Sequence, residues 1–178
     1  MCQSIRSEQL PTRWKEAWVT PIFKKGSRND PANYRPVSLT CIVCKLTEHI
    51  ICTHLRGHLD RHGILTPTNH GFRSGHSCES QLLLTTHDLM KQRDLGHKVD
   101  VGILDFSKAF DTVPHKRLIN KLKLHGAEGC TLGWIADFLK DREQQVLVDG
   151  AKSEQASVAS RVPKGYLENT LLKTRYTT

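Results

Sequence analysis

Aromatic residues are scarce in this chain, 6% of 178 positions, so a large aromatic-rich core is not expected. No apolar run approaches the roughly 20 residues a membrane-crossing helix needs, and no membrane partner is expected. The N-terminus, Met-Cys-Gln-Ser-Ile-Arg, lacks the apolar stretch of a secretory signal. Internal repeats and low-complexity tracts are also missing. These absences point to an intracellular protein, cytoplasmic or nuclear, and not a secreted one. The six cysteines, at 2, 41, 44, 52, 78 and 130, are irregularly spaced. Without a secretory signal they read as free thiols of a reducing compartment.

Acidic charge is in deficit. Lys and Arg total 26 against 18 Asp and Glu, a formal net charge of +8. Such an excess favours a polyanionic partner, because neutralising phosphates is its usual use. A merely basic globular surface is the bland alternative. With 38% hydrophobic and 25% charged residues the chain is not an all-disordered one. Its length suits one compact domain or a piece of a larger one.

The pattern along the chain is mixed. Ala17 to Phe23 reads as a strand that Pro21 pushes toward a sheet edge. Residues 24–32, Lys-Lys-Gly-Ser-Arg-Asn-Asp-Pro-Ala, have loop composition. Tyr34 to Leu39 is short and extended. From Ile42 to Leu59 the positions Ile42, Leu46, Ile50, Leu55 and Leu59 recur at helical spacing, with Gly63 as the stop. A turn-rich stretch follows at 66–76. Ser77 is placed to cap a second helix that runs to about Leu95 and ends at Gly96.

Lys98 to Phe106 reads as a buried strand. His115 to His125, stopped by Gly126, and Leu132 to Leu139 read as helices. Gln145 to Val148 and Ala156 to Val162 read as strands joined across the Asp149-Gly150 turn signal. Helices and strands interleave without a regular βαβ repeat, so the expected class is α+β or mixed α/β.

Chemistry is most concentrated at Val101-Gly-Ile-Leu-Asp105-Phe106-Ser107-Lys108-Ala109-Phe110-Asp111. A carboxylate at the end of an apolar strand is held on rigid backbone. Carboxylate oxygens suit Mg²⁺, and paired divalent ions clamp the attacking and leaving oxygens of phosphoryl transfer. Spacing alone favours the plainer reading, in which Asp105 caps a short turn at 107–110. The basic loop residues Lys24, Lys25 and Arg28 are, on composition alone, an ordinary solvated run.

Leu104-Asp-Phe-Ser-Lys-Ala-Phe-Asp111 resembles the first catalytic motif of reverse transcriptases from non-LTR (LINE-type) retrotransposons. Further segments fit the same family in order: Trp14 to Gly26, Asn33 to Leu39, His70 to Arg73, Leu132 to Leu139 and Val162 to Gly165. The ordered set is more specific than any one motif.

The resemblance implies an incomplete right-hand polymerase fold. Residues 1–13 would be an N-terminal extension, 14–97 the fingers, 98–165 part of the palm and 166–178 an unrelated tail. Asp105 would ligate the catalytic Mg²⁺ ions with the Phe106 carbonyl assisting. Phe110 would abut the incoming sugar and exclude a ribose 2′-OH. Arg35 and either Lys24 or Lys25 would hold the triphosphate, and Arg73 would lie on the template side. Lys164 and Gly165 would belong to the loop supporting the nascent base pair. The implied partners are an RNA template, a DNA primer and dNTP.

Two departures from the family pattern matter. Lys164 stands where the family has Gln, and the sequence contains no Asp-Asp pair. That pair would supply the remaining metal-binding acids, and a thumb would follow it. One carboxylate and a carbonyl cannot position two divalent ions, so this polypeptide by itself is expected not to polymerise. A strand ending at Asp105 without its usual neighbour would leave an open edge for self-association. The alternatives are a non-catalytic nucleic-acid-binding remnant and an inert translated fragment.

Two other readings carry little. Cys41 and Cys44 with His54 and His58 resemble a zinc set. On one helix, however, Cys44 and His54 would stand about 15 Å apart. Ser38 and Ser107 have no local base arrangement that would make them nucleophiles.

Overall fold

The computed structural model describes residues 2–68, 70–71, 73–104 and 113–158. The elements run α1 (Cys2–Arg6), α2 (Thr12–Lys15), β1 (Glu16–Phe23), a 3-10 turn (Pro31–Asn33) and β2 (Tyr34–Thr40). There follow α3 (Ile42–Arg61), α4 (Cys78–Asp94), α5 (His115–Leu124), α6 (Gly129–Leu139), β3 (Arg142–Val148), β4 (Ala151–Lys152) and β5 (Ala156–Val158). The mixed α/β class expected from the sequence is the class observed. No helix among the described residues is long and apolar enough to cross a membrane.

One core joins α3, α5 and α6. Leu59, Leu122, Trp134, Ile135, Phe138 and Leu139 are fully buried in it. Each buried aliphatic or Phe side chain of this kind contributes about 1.5–3 kcal/mol of transfer free energy. Trp134 and Phe138, one helical turn apart, stack with ring centroids 5.3 Å apart.

The N-terminal segment clasps α6. Asp137 accepts from the Leu10 amide at 2.7 Å and from Lys15 Nζ at 2.8 Å. The Trp134 indole donates to Ser4 Oγ at 3.2 Å.

Helix α3 forms where its periodicity predicts it, but it turns a different face inward. Ile42, Leu46 and Ile50 are exposed, whereas Cys44, Thr47, Glu48, Ile51, Leu55 and Leu59 are buried. The cause is Arg142 at the start of β3, only 2% exposed. It donates to the Phe138 carbonyl at 3.1 Å and the Trp14 carbonyl at 3.3 Å, and its guanidinium lies 4.6 Å over the Phe138 ring. Burial pushes the Arg142 pKa down, and the charges of Cys44 and Glu48 oppose that shift. A buried cation keeps an acidic residue on the inner face of α3, which hydrophobic periodicity alone assigns to solvent.

The sheet has the order β2-β1-β3-β4, with β5 also on β3. β1 and β2 are antiparallel, β1 and β3 parallel, and β4 and β5 antiparallel to β3. Pro21 does not make β1 an edge strand. β1 lies between β2 and β3, but its pairing with β3 ends at Val19. Beyond that point Pro21 faces Pro36, so both missing amide donors fall on one rung.

The Asp149-Gly150 turn is a hairpin turn with positive φ at both residues, 49° and 83°, the combination of a type I′ turn. Its immediate product is the short β4. β5 begins only after Ser153, whose hydroxyl accepts from the Val146 amide at 2.9 Å. Of the expected strand Ala156 to Val162, residues 159–162 lie outside the described residues.

Helix α4 has the expected cap. Ser77 Oγ accepts from the Ser80 amide and Ser80 Oγ from the Ser77 amide. Gly96 closes the helix with φ +77°. A hydrogen bond from Ser77 also holds the Glu79 carboxyl below its usual range. No side chain of α4 is buried.

The expected buried strand at Lys98 to Phe106 is not observed over 98–104, which carry no strand pairing. Ile103 and Leu104 are 90% and 89% exposed. An apolar run becomes a strand only where a neighbour completes its ladder. Here β1 and β3 pair directly with each other. Asp105 and Phe106 lie outside the described residues.

Replacing Arg142 by Ala removes the donor to the buried Phe138 and Trp14 carbonyls, and leaving a buried polar group unsatisfied costs about 1–3 kcal/mol. Urea titration followed by circular dichroism is expected to show that loss. A drop below about 1 kcal/mol would contradict the role given to Arg142. Burial also raises the Cys44 thiol from 9.0 to about 12. A raised folded-state value stabilises fully below pH 9 and is lost as pH climbs toward 12. The alkaline fall in stability is therefore expected to shrink in Cys44→Ala. With a thiol reagent near pH 8, exposed Cys2, Cys78 and Cys130 should react promptly, and buried Cys44 and Cys52 only on unfolding.

Candidate nucleotide and nucleic-acid interface

The β1–β2 hairpin carries Lys24, Lys25 and Arg35 near its closed end. All three side chains are exposed. The loop between the strands is held by its own polar groups. The Lys24 amide donates to the Asn33 carbonyl at 2.8 Å, and Asn33 Nδ2 donates to the Ser27 carbonyl at 2.9 Å. The Ala32 amide donates to Asp30 Oδ1 and the Tyr34 hydroxyl to the Arg28 carbonyl, each at 2.9 Å. Gly26 is required here. Its φ is +91°, and a Cβ would come within 2.7 Å of the Asn33 side chain.

Register decides which cations share a face. In an antiparallel pair, directly opposed residues point the same way and alternate along each strand. Ile22 opposes Arg35, Thr20 opposes Val37 and Trp18 opposes Leu39. Lys24, two residues beyond Ile22, continues that alternation and joins the Arg35 face. The other face carries Val19, Pro21, Phe23, Tyr34 and Pro36.

There Phe23 and Tyr34 meet edge-to-face at 5.4 Å, and the Arg28 guanidinium covers the Phe23 ring at 4.9 Å. Arg28 is thus committed to the loop's own packing. On the same side, a cavity of about 470 Å³ lies between the loop and Val146 and Val148.

Arg73 is separately tied down. Its Nη1 donates to the Thr66 carbonyl at 2.9 Å, and its Nη2 lies 3.4 Å from Asp60 Oδ1. The same turn holds His70, whose Nδ1 is 3.0 Å from Ser80 Oγ. Arg73 therefore anchors the 64–76 connection to the end of α3, and its hydrogen bonds do not reach the hairpin cations. Asp105, Phe106, Phe110, Lys164 and Gly165 lie outside the described residues. Among the described residues, no group of three or more His, Cys, Asp or Glu side chains is placed to hold a metal ion.

Sequence reasoning overlooked Trp18 and Lys152. Trp18 is 46% exposed on the Arg35 face, and Lys152 Nζ stands 4.6 Å over its ring. The β3–β4 register, with Lys152 opposite Leu147, brings this lysine round to β1. Strand alternation around the Asp-Gly turn was the available signal, but it needed the β1–β3 pairing to be known.

The family model of the reverse transcriptase (RNA-dependent DNA polymerase) matches residues 22–175. The chain is 31% identical over 175 residues to a probable RNA-directed DNA polymerase from transposon BS of Drosophila melanogaster. It is 30% identical over 173 residues to one from transposon X-element of the same organism. Each alignment covers 97% of this chain and 19% of the relative. The RNA-directed DNA polymerase of the Drosophila melanogaster mobile element jockey is 31% identical over 157 residues, 88% of this chain and 17% of that protein. The chain thus spans about a fifth of the length of these relatives, and with its ordered motifs and matched span it belongs to the reverse transcriptase family, in the company of polymerases from mobile elements.

Proposed function

We propose that this chain is the nucleotide- and template-holding part of an RNA-directed DNA polymerase, and that the 178-residue polypeptide by itself does not extend a primer. The observation that carries the reading is the pairing of Lys24 with Arg35 on one face of a loop-locked hairpin. A guanidinium offers two parallel N–H donors to a phosphate, and a lysine adds a mobile point charge. The loop's internal hydrogen bonds fix the backbone that carries both before a ligand arrives, which lowers the ordering cost of binding. Lys24, not Lys25, is the triphosphate contact in this reading, because alternation places it beside Arg35. Arg73 acts on the template side by holding the 64–76 connection in place.

Asp105 is the metal-binding carboxylate of the reading, with the Phe106 carbonyl beside it, and Phe110 is the sugar-facing ring. Lys164 and Gly165 support the nascent pair. The sequence offers no Asp-Asp pair to complete a two-ion site. The donor set is therefore too small for two Mg²⁺ ions.

Binding of a fluorescent dNTP to the full chain should weaken about tenfold in Lys24→Ala and in Arg35→Ala, the loss of one charge-assisted contact. Lys25→Ala should stay within about twofold of the parent chain, the change expected for a distant surface charge. Equal losses at Lys24 and Lys25 would refute the face assignment. A labelled-dNTP extension assay on primed RNA should give no product. Incorporation that disappears in Asp105→Ala would overturn the claim of inactivity.

A further inference from the structure

We infer that α4 is a self-pairing surface, on which two copies of this chain dock α4 against α4, antiparallel, about a two-fold axis at Thr86. The inference stands apart from the nucleotide-binding reading. Helix α4 has 17 residues and is about 25 Å long. Its start is fixed by the Ser77–Ser80 capping box and by the contact of His70 Nδ1 with Ser80 Oγ. It buries no side chain within its own chain. At about 3.6 residues per turn, Leu82, Leu83, Leu89 and Met90 fall on one stripe. Glu79 begins that stripe, Thr86 stands at its middle and Arg93 ends it. Leu82, Leu83 and Met90 are 68%, 71% and 54% exposed, and Leu89 is half-buried. Leu84, also exposed, falls on the opposite side of the helix.

A two-fold contact requires a surface that complements itself, and the stripe does so in one orientation. With Thr86 on the axis, Leu82 meets Met90 of the second copy, Leu83 meets Leu89, and Glu79 meets Arg93. Each pairing occurs twice. Thr86, the smallest apolar-stripe residue, lies where the helix axes come closest. A parallel pairing would set Glu79 on Glu79 and Arg93 on Arg93, and like charges repel. The antiparallel one also opposes the two helix dipoles, with an acidic first turn beside the basic last turn of Lys91 and Arg93. An unrelated partner would not need a stripe that matches its own reverse. The net charge of +8 does not oppose this contact locally, because α4 carries three acids, Glu79, Asp88 and Asp94, against Lys91 and Arg93. One helix pair is a small interface, so the dimer is a weak and reversible one.

The test is sedimentation equilibrium of the full chain under reducing conditions, from about 1 to about 200 µM, the range of a weak small interface. The parent chain should pass from monomer to dimer across it. Leu82→Ala combined with Leu83→Ala should weaken the dimer at least about tenfold, because two apolar side chains per copy leave the contact. Leu84→Ala, off the stripe, should stay within about twofold, as an exposed site without a partner does. Glu79→Arg and Arg93→Glu should each weaken the dimer about fivefold, the scale of exposed ion pairs turned repulsive. The double variant Glu79→Arg with Arg93→Glu should recover most of the loss. Both of its charges oppose the helix dipole, so recovery reports pairing and not helix strength. Circular dichroism should show unchanged helix content in the leucine variants. A chain that stays monomeric throughout refutes the self-pairing and leaves this face to another occupant. A dimer that Leu82→Ala with Leu83→Ala does not weaken, or that Leu84→Ala weakens as much, places the contact elsewhere, on an open sheet edge for example, and also refutes it. A charge-exchanged double variant no better than the single ones refutes the antiparallel register.

Discussion

The buried guanidinium of Arg142 is the interaction on which the rest of this structure depends. It stands at the first residue of β3, where sheet and helices must be joined. Its two donors close the orphan carbonyl of Phe138 near the end of α6 and the carbonyl of Trp14 in α2. Its plane covers Phe138, and its charge is answered by Glu48 on α3. One side chain therefore sets the position of α2, α3 and α6 around β3. β3 in turn pairs with β1 in parallel, and that pairing places the hairpin with Lys24 and Arg35. A hydrophobic replacement of similar volume would take this donor away from the Phe138 and Trp14 carbonyls, a cost that apolar packing has to offset.

The hairpin is built for presentation more than for packing. Of its strand residues only Val19 is buried. Its order comes from the loop's hydrogen bonds and from the stack of Arg28, Phe23 and Tyr34. One strand face spends its aromatic residues on internal cohesion and the other leaves them open. Arg28 belongs to the first face, packed over Phe23, and Arg35 to the second, opposite Ile22.

Apolar side chains stay exposed at several places. They include Ile42 and Leu46 on α3, Leu82 and Leu83 on α4, and Ile103 and Leu104 just before Asp105. Surfaces of this kind are costly for an isolated domain and serve where further protein packs against them. The relatives matched here are about five times longer than the aligned region. The compact part described here is held by the α3, α5 and α6 core, with the N-terminal segment and Arg142 packed onto it.

Much of the local structure was legible in the residue order. Ser77 and Gly96 mark α4, Gly126 marks the end of α5, and Asp149-Gly150 makes its turn, because caps and tight turns are decided by a few neighbouring atoms. The family was legible too, since its motifs are short, ordered and chemically specific. Tertiary structure alone decided three things. It chose the inner face of α3, through a buried arginine distant in sequence. It left the apolar run before Asp105 without a partner strand, since β1 and β3 pair with each other. It aligned Lys24, Arg35, Trp18 and Lys152 on one surface, since a strand's face depends on the register of its neighbours, and register is a property of the assembled sheet.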